Sequence, residues 1–439
     1  MSSTPASVFG AGLSAVEMGG GTVLNNAGTI LVEGNARTPA VRTINGRDRV
    51  HIVNTGTIDA SLGGAGIRGN DSLRLENSGT IRGGAGVAVE ISGSDGSSVL
   101  LQQGSSIDGA ISVRDFAQVP LTEAELGNDP VAIDFCKQNP DESFCNRAVP
   151  NLPTTATLQL EGTGSEDDLI SGFNFIEVLS DGTWTLDTAL QAGSATDRFQ
   201  TGDFRGPLEI DVQGAGGLLD LTGVISDNPD DGTLAEVEKL GPGTLRLSGT
   251  STSTGVLNLL EGRVDAAGTI PMATVVSPGA TVFGTGTLGG IRSEGRVAPG
   301  NSIGTLTVTG NYESLPNSIL EIELDPTASP KVDLLVVSGN VTAERRMETA
   351  SGSWKLLGSA HYHYDWLAAE DAFHDITASN PITGTITQVG QNRGAHGLTA
   401  GLGISGQLTE SIAVGAGYAY GWNEDGEEHA RSASFSMTW

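Results

Sequence analysis

Asn26-Ala-Gly-Thr-Ile30 returns as Asn54-Thr-Gly-Thr-Ile58 and again as Asn77-Ser-Gly-Thr-Ile81, with a weaker copy at Gln103-Gly-Ser-Ser-Ile107. The glycines at 28, 56, 79 and 104 are separated by 28, 23 and 25 residues. A short strand-like stretch precedes each turn: Thr22-Val-Leu-Asn, Arg49-Val-His-Ile-Val, Leu73-Arg-Leu-Glu and Val99-Leu-Leu-Gln. Another lies between copies, as in Ala40-Val-Arg-Thr-Ile44 and Val87-Ala-Val-Glu-Ile91. Three short strands in a period of this length, with Asn/Gly turns, predict a right-handed parallel β-helix. One coil cannot bury its own Val, Leu and Ile, whereas stacked coils about 4.8 Å apart bury them as ladders and pair the backbone. The register of the repeat predicts that Ile30, Ile58 and Ile81 point inward, one above the next. The Asn of each turn is expected to stack its amide on the next coil or to take positive φ.

Composition agrees with an all-β chain. Of 439 residues, 63 are glycine and only 17% are charged, while helical periodicity is scarce. The net charge of −29 argues against nucleic acid and against adsorption to anionic lipid, since both require basic patches. No run of about 18 apolar residues forms a membrane helix. Met1 to Gly20 lacks a basic region followed by an apolar run, so no secretory signal is visible.

The C-terminal stretch reads differently from the repeats. From Ile412 to Trp422, Ile412, Val414, Ala416, Tyr418, Tyr420 and Trp422 fall on one face, and Ala413, Gly415, Gly417, Ala419 and Gly421 on the other. An apolar face ending in aromatics, opposite a face of small residues, suits lipid outside and a narrow lumen inside. Trp354 to Trp366, Leu398 to Ser405 and the final Ala433, Phe435, Met437 and Trp439 alternate likewise. This places Tyr418, Tyr420, Trp422, Phe435, Met437 and Trp439 against the membrane, with the aromatics as an interface girdle.

The domain reading follows: an irregular N-terminus at 1–19, β-helix coils at 20–116, an acidic insertion at 117–153, further coils at 154–342, a junction at 343–353, and barrel strands at 354–439. In the insertion, Thr122 with Glu125 could cap a short helix, and Asp129-Pro130 could open another. It also holds both cysteines, Cys136 and Cys145. In an exported chain these most simply form one local disulfide; the alternative is two free thiols in a mobile insertion. Leu158 and Leu160 alternate, as do Leu245 and Leu247. Leu320, Ile322 and Leu324 alternate with Glu321 and Glu323, which reads as a strand with one solvated face.

Two motifs carry a family resemblance. Leu240-Gly-Pro-Gly-Thr-Leu-Arg-Leu-Ser-Gly249, followed by Leu259-Leu-Glu-Gly-Arg-Val264, resembles the passenger-associated repeat of bacterial autotransporters. Gly284-Thr-Gly-Thr-Leu-Gly-Gly290 and Val297-Ala-Pro-Gly-Asn-Ser-Ile-Gly-Thr-Leu-Thr-Val308 are similar to the end of pertactin-like passengers, just before the barrel. With the C-terminal strands, the resemblance covers the chain from Gly20 onward. It implies type V secretion in a Gram-negative cell: a β-helical passenger displayed at the cell surface and a β-barrel in the outer membrane. The partners it implies are outer-membrane lipid, the barrel-assembly machinery, and ligands on a host or neighbouring cell. Two departures stand out. About 95 residues follow Val341, enough for roughly five strands, whereas single-chain barrels start at about eight. The expectation is therefore an incomplete barrel in a chain lacking its natural start. The last strand also carries Ser434 where the family's assembly signal has glycine.

Chemistry-bearing motifs are sparse. Gly300-Asn-Ser-Ile-Gly304 matches a serine-hydrolase elbow, but Thr305 to Val308 continues as strand where that motif needs a helix. His361 and His363, with His374 nearby, lack a carboxylate or Cys cluster to complete a metal site. Glu166-Asp-Asp168 and Asp227-Asn-Pro-Asp-Asp-Gly232 lack the spacing of a calcium loop. The expectation is no catalytic, metal or cofactor site, and a passenger that serves as adhesin or rigid spacer. The competing readings are a β-helical polysaccharide-acting enzyme, disfavoured by the lack of an obvious acid pair in matching coils, and a degenerate fragment without secretion competence.

Overall fold

The computed structural model describes residues 7–10, 14–32, 38–43, 49–70, 72–92, 96–114, 116–120, 130–138, 146–150, 156–191, 207–227, 234–325, 327, 332–349, 352–364, 376–380, 384–388, 396–409, 412–423 and 426–437. The chain is all-β, with parallel strands through its length and antiparallel strands at its end. It divides into two compact units, Met1–Val256 and Leu257–Trp439.

The first unit is a parallel β-helix. One stack runs Val23–Asn26, Val50–Asn54, Leu73–Asn77, Ser98–Leu101 and Thr157–Glu166, each parallel to the next. A second runs Thr29–Val32, Thr57–Asp59, Thr80–Ser92 and Ser106–Arg114. Ile30, Ile58, Ile81 and Ile107 are direct register partners in this second stack, and all four are buried. The aliphatic ladder expected from the repeat is therefore present.

The Asn residues form a second ladder beside it. Asn26 Nδ2 donates to Asn54 Oδ1 at 2.7 Å, and Asn54 Nδ2 donates to Asn77 Oδ1 at 2.8 Å. Asn77 Nδ2 then donates to Ser105 Oγ at 2.6 Å. Buried amides keep partners this way, and of the two roles expected for the turn Asn the structure takes amide stacking. Glycine follows two residues later because the coils touch there. A Cβ at Gly56 would lie 2.1 Å from the Gly28 carbonyl oxygen, and one at Gly79 would lie 2.1 Å from that of Gly56.

The insertion is a hairpin, Phe116–Pro120 against Asn146–Pro150, with a helix, Pro130–Gln138, between its strands. The helix opens at Pro130, where proline's missing N–H leaves no unmet donor. Thr122, Glu125 and Asp129 lie outside the described residues. Cys136, on the helix, is disulfide-bonded. Cys145, the chain's one other cysteine, lies outside the described residues.

In the second unit, coils continue through Arg263–Ala266, Thr281–Gly284 and Arg296–Pro299. The last coil differs from its sequence reading. Only Ile319–Leu320 is strand there, and Leu320, Ile322 and Leu324 are exposed together with Glu321 and Glu323. A terminal coil has a neighbour on one side only, so its alternation separates no core from solvent.

Of residues 343–353, assigned on sequence to a junction, 343–349 and 352–353 fall on strands. Asn340–Thr349 begins parallel to Tyr312–Ser314 and then runs antiparallel to Gly352–Tyr364. The sheet continues antiparallel through His396–Thr409, Ile412–Asn423 and Gly426–Met437. A separate hairpin joins Ile376–Asn380 to Gly384–Gln388.

Candidate functional site

The antiparallel sheet presents two unlike faces. Register aligns Leu356 with Ile404 and Ala416, Leu402 with Tyr418, Ala400 with Tyr420, and Leu398 with Trp422. Phe435 lies beside Val414. This face is exposed: Phe435 keeps 68% of its surface, Leu402 59%, and Tyr418 and Trp422 40% each. Opposite it lie Ser359, Gly403, Ala419 and Gly421, with Gly403 and Ala419 buried. Lys355 Nζ meets Glu344 Oε1 at 2.9 Å on that smaller-residue side. An exposed apolar row this long is unusual on a soluble surface and marks a contact face.

Of the residues expected at a membrane, Tyr418, Tyr420, Trp422 and Phe435 share this exposed face. Met437 pairs with Ile412 by register, but its side chain, like Trp439 as a whole, lies outside the described residues. Aromatics stand toward both ends: Trp354 and Phe435 share a row at the end away from the entry of the solenoid strand. Tyr420 and Trp422 stand toward the paired Asn423 and Gly426, and Tyr418 lies at mid-strand. Asn340, where the solenoid strand enters the sheet, pairs with His361 at that same end. The last strand sets Arg431 beside Tyr418, His429 beside Tyr420, and Glu427 beside Trp422. The Tyr418 hydroxyl hydrogen-bonds His429 Nδ1, and the His429 and Tyr420 rings lie 5.3 Å apart. Register also places Arg345 in the row of Leu356.

The acidic candidates are tied to backbone. Glu166 Oε1 accepts from Asp168 N at 3.1 Å, and Asp168 Oδ2 accepts from Gly109 N at 2.6 Å. Glu166, Asp167 and Asp168 bring oxygens within 4.8 Å of one another. Burial pushes the Glu166 carboxyl up to about 7; amide N–H donors oppose this, and the Asp168 and Asp167 charges add to it. Asp227 Oδ1 accepts from Ala235 N at 2.8 Å and from Ser253 Oγ at 2.6 Å, while 228–233 lie outside the described residues. His361 and His363 sit on the small-residue side by register; their side chains and His374 lie outside the described residues. Gly300–Gly304 is a turn leading into the strand Thr305–Val308, with Ser302 at φ 114°. It has no helix after it and so is not a nucleophile elbow.

Two features escaped sequence reasoning. Lys239 is fully buried and faces inward above Ile210; its Nζ donates to the carbonyls of Leu240 and, at 2.7 Å, Gly241. It thus ties down the turn of the Leu240–Gly249 motif. The second is an outward acid pair. Glu209 is the register partner of Glu238, and Glu177 that of Asp211. Burial, then the charges of Glu209 and Glu236, hold the Glu238 carboxyl above its ordinary value. The expectation of no acid pair in matching coils is corrected here. The partners are 29 and 34 residues apart, so the shorter repeat period could not align them.

Comparison with known protein families, with characterised proteins and with solved structures finds no match.

Proposed function

We propose that this chain is an autotransporter-like surface protein, in which a β-helical passenger is displayed outside the cell by strands that enter the outer membrane. One observation carries the reading: the antiparallel sheet exposes an apolar face with aromatics toward both ends, and turns small residues the other way. That is the arrangement by which barrel strands meet lipid outside and a narrow lumen inside. Five strands fall short of the roughly eight that the smallest single-chain barrels use, so in lipid the edge strands must pair with further strands. The stacked parallel strands and the hairpin of Phe116–Pro120 with Asn146–Pro150 suit an adhesin or a rigid spacer. The test is to fold the purified chain into phosphatidylcholine vesicles and digest it. Protection of residues 340–437 with loss of the solenoid supports the reading, and digestion of the sheet at the solenoid's rate rejects it.

A second reading, a β-helical enzyme acting on polysaccharide, gains support from the Glu209–Glu238 pair. Neighbouring carboxylates, one of them held above its ordinary pKa by burial and by the other's charge, are what glycoside hydrolysis uses. Release of reducing ends from acidic or neutral polysaccharides, lost in Glu238→Gln, would favour it. The same release from the variant would remove the pair from consideration.

A further inference from the structure

We propose that the last coils of the solenoid bind internal water, held inside the β-helix by the hydroxyls of Ser293, Tyr312 and Ser314, with Thr274 beside them. Register builds the place. Thr274, Ile291 and Tyr312 are successive partners in one inward row, and Val276, Ser293 and Ser314 in the next. Ser293 therefore stands over Ser314 at about the 4.8 Å strand spacing, two residues along from the row of Tyr312. Thr274, Ser293 and Tyr312 keep only 1%, 0% and 3% of their surface. Thr274 Oγ1, Ser293 Oγ and the Tyr312 hydroxyl oxygen are buried and reach no hydrogen-bond partner among the described residues. The neighbouring row through Val264, Val282 and Val297 is aliphatic and buried throughout, so the hydroxyls are a local feature of this corner. Tyr312–Ser314 is also the strand along which Asn340–Thr349 begins, which puts the site beneath the start of the antiparallel sheet.

A buried hydroxyl without a partner forfeits the hydrogen bonds it makes with solvent in the unfolded chain. Three such groups in adjacent ladder positions point to one shared occupant that supplies them. The donor set names its chemistry. Hydroxyls both give and accept, as water does, and water in a protein interior takes two to four polar partners. Charge is turned away from the place: Glu313 Oε2 meets Arg292 Nε at 3.4 Å on the outer side of the same strands. A hard cation, which prefers carboxylate oxygens, finds none there among the described side chains. Room comes from the side chains themselves, since Ser293 sets one oxygen where its partner Val276 sets two methyl groups. Ser314 Oγ lies 2.6 Å from Ser318 Oγ, yet each hydroxyl has one donor and two acceptor sites, so both keep capacity for water. Burial pushes the Tyr312 hydroxyl above its ordinary pKa, and Ser314 is near enough to oppose that push, which places the ring's oxygen toward the serines.

The experiment uses the full chain. Magnetic relaxation dispersion of the water signal counts long-lived internal waters, and amide hydrogen exchange is followed in Thr287–Ser293 and Tyr312–Ser314. Ser293→Ala and Tyr312→Phe each remove one hydroxyl and leave the packing shape nearly unchanged. Each should speed exchange in those strands on the order of tenfold, because a bridging water loses a partner. The double variant should add little to either single one, since both changes release the same water. It should also contain fewer long-lived waters than the native chain. Exchange that is unchanged or slower in both single variants would overturn the site, because trimming an orphaned hydroxyl does not destabilise. Effects that multiply in the double variant would overturn it as well, and so would an equal water count in the double variant and the native chain.

Discussion

The coils and the terminal sheet use the same two-residue alternation in opposite senses. At Ile30, Ile58 and Ile81 the apolar side turns inward, and every one is buried. At Leu402, Tyr418 and Phe435 the apolar side turns outward and stays exposed. Glycine changes its role accordingly. In the coils it stands where one turn touches the next, as at Gly56 against Gly28. In the sheet it lines the opposite face, as at Gly403 and Gly421. Period alone therefore says strand, while the company each face keeps says which medium it meets.

The comparison breaks most visibly under a matched pair of substitutions. Ile58→Asp buries an unpaired carboxylate between Ile30 and Ile81, and should cost about 4 kcal/mol or more. Phe435→Asp in the sheet should change stability in water by no more than about 0.5 kcal/mol, yet weaken vesicle insertion. Denaturant titration with vesicle flotation reads both, and equal destabilisation would refute the opposite orientation of the faces. Asn54→Leu comes next. It removes one amide from the ladder, taking from Asn77 Oδ1 its Asn54 donor and leaving Asn26 Nδ2 with the Thr57 carbonyl, for about 2 kcal/mol. Hydrogen exchange should show the loss spreading into the coils on both sides, and exchange confined to residues 55–56 would contradict the ladder's role.

Glu166→Gln has a pH signature. The folded carboxyl sits at about 7 against an ordinary 4.5, so burial favours the protonated form. That stability is complete below pH 4.5 and is lost as pH rises to about 7, for about 2 kcal/mol after allowance for solvent screening. The variant should flatten the slope between those values and be the more stable at pH 8. An unchanged slope would show that the group is not desolvated. The smallest effect is expected at Arg74→Ala. Arg74 lies 2.8 Å from Glu76 on an open face, and the loss should stay within about 0.5 kcal/mol in thermal melts.

Much of this architecture was legible in the sequence, because the repeated Asn-x-Gly-Thr-Ile turn fixes register and register fixes what stacks. The alternating faces of the sheet were legible for the same reason. What stayed hidden depended on coils of unequal length. Glu209 meets Glu238 because the 29-residue step between them returns the chain to the same register position, and no local pattern announces that. Lys239 reads as surface by chemistry, and its burial follows from the turn carbonyls that receive it. Ala343–Thr349 looked like a charged connector; Glu344 gains Lys355 as a partner across the strand pair, so a charged stretch can still be sheet. The contact face was foreseen by its aromatics, whereas the Arg431–His429–Glu427 row was not, since charges on an apolar face stand out only when register is known.

The amide ladder has a consequence for how such a molecule changes length. Asn26, Asn54 and Asn77 are linked head to tail, each giving Nδ2 to the oxygen of the next. Because donor and acceptor at every rung are the same group, a duplicated stretch of 23 residues, the step from Asn54 to Asn77, would meet on each side the surface it had just left. The gene can thus add or drop whole rungs by recombination and keep a continuous spine. The length of the solenoid is then adjustable in steps of about 4.8 Å, with no new contact to invent.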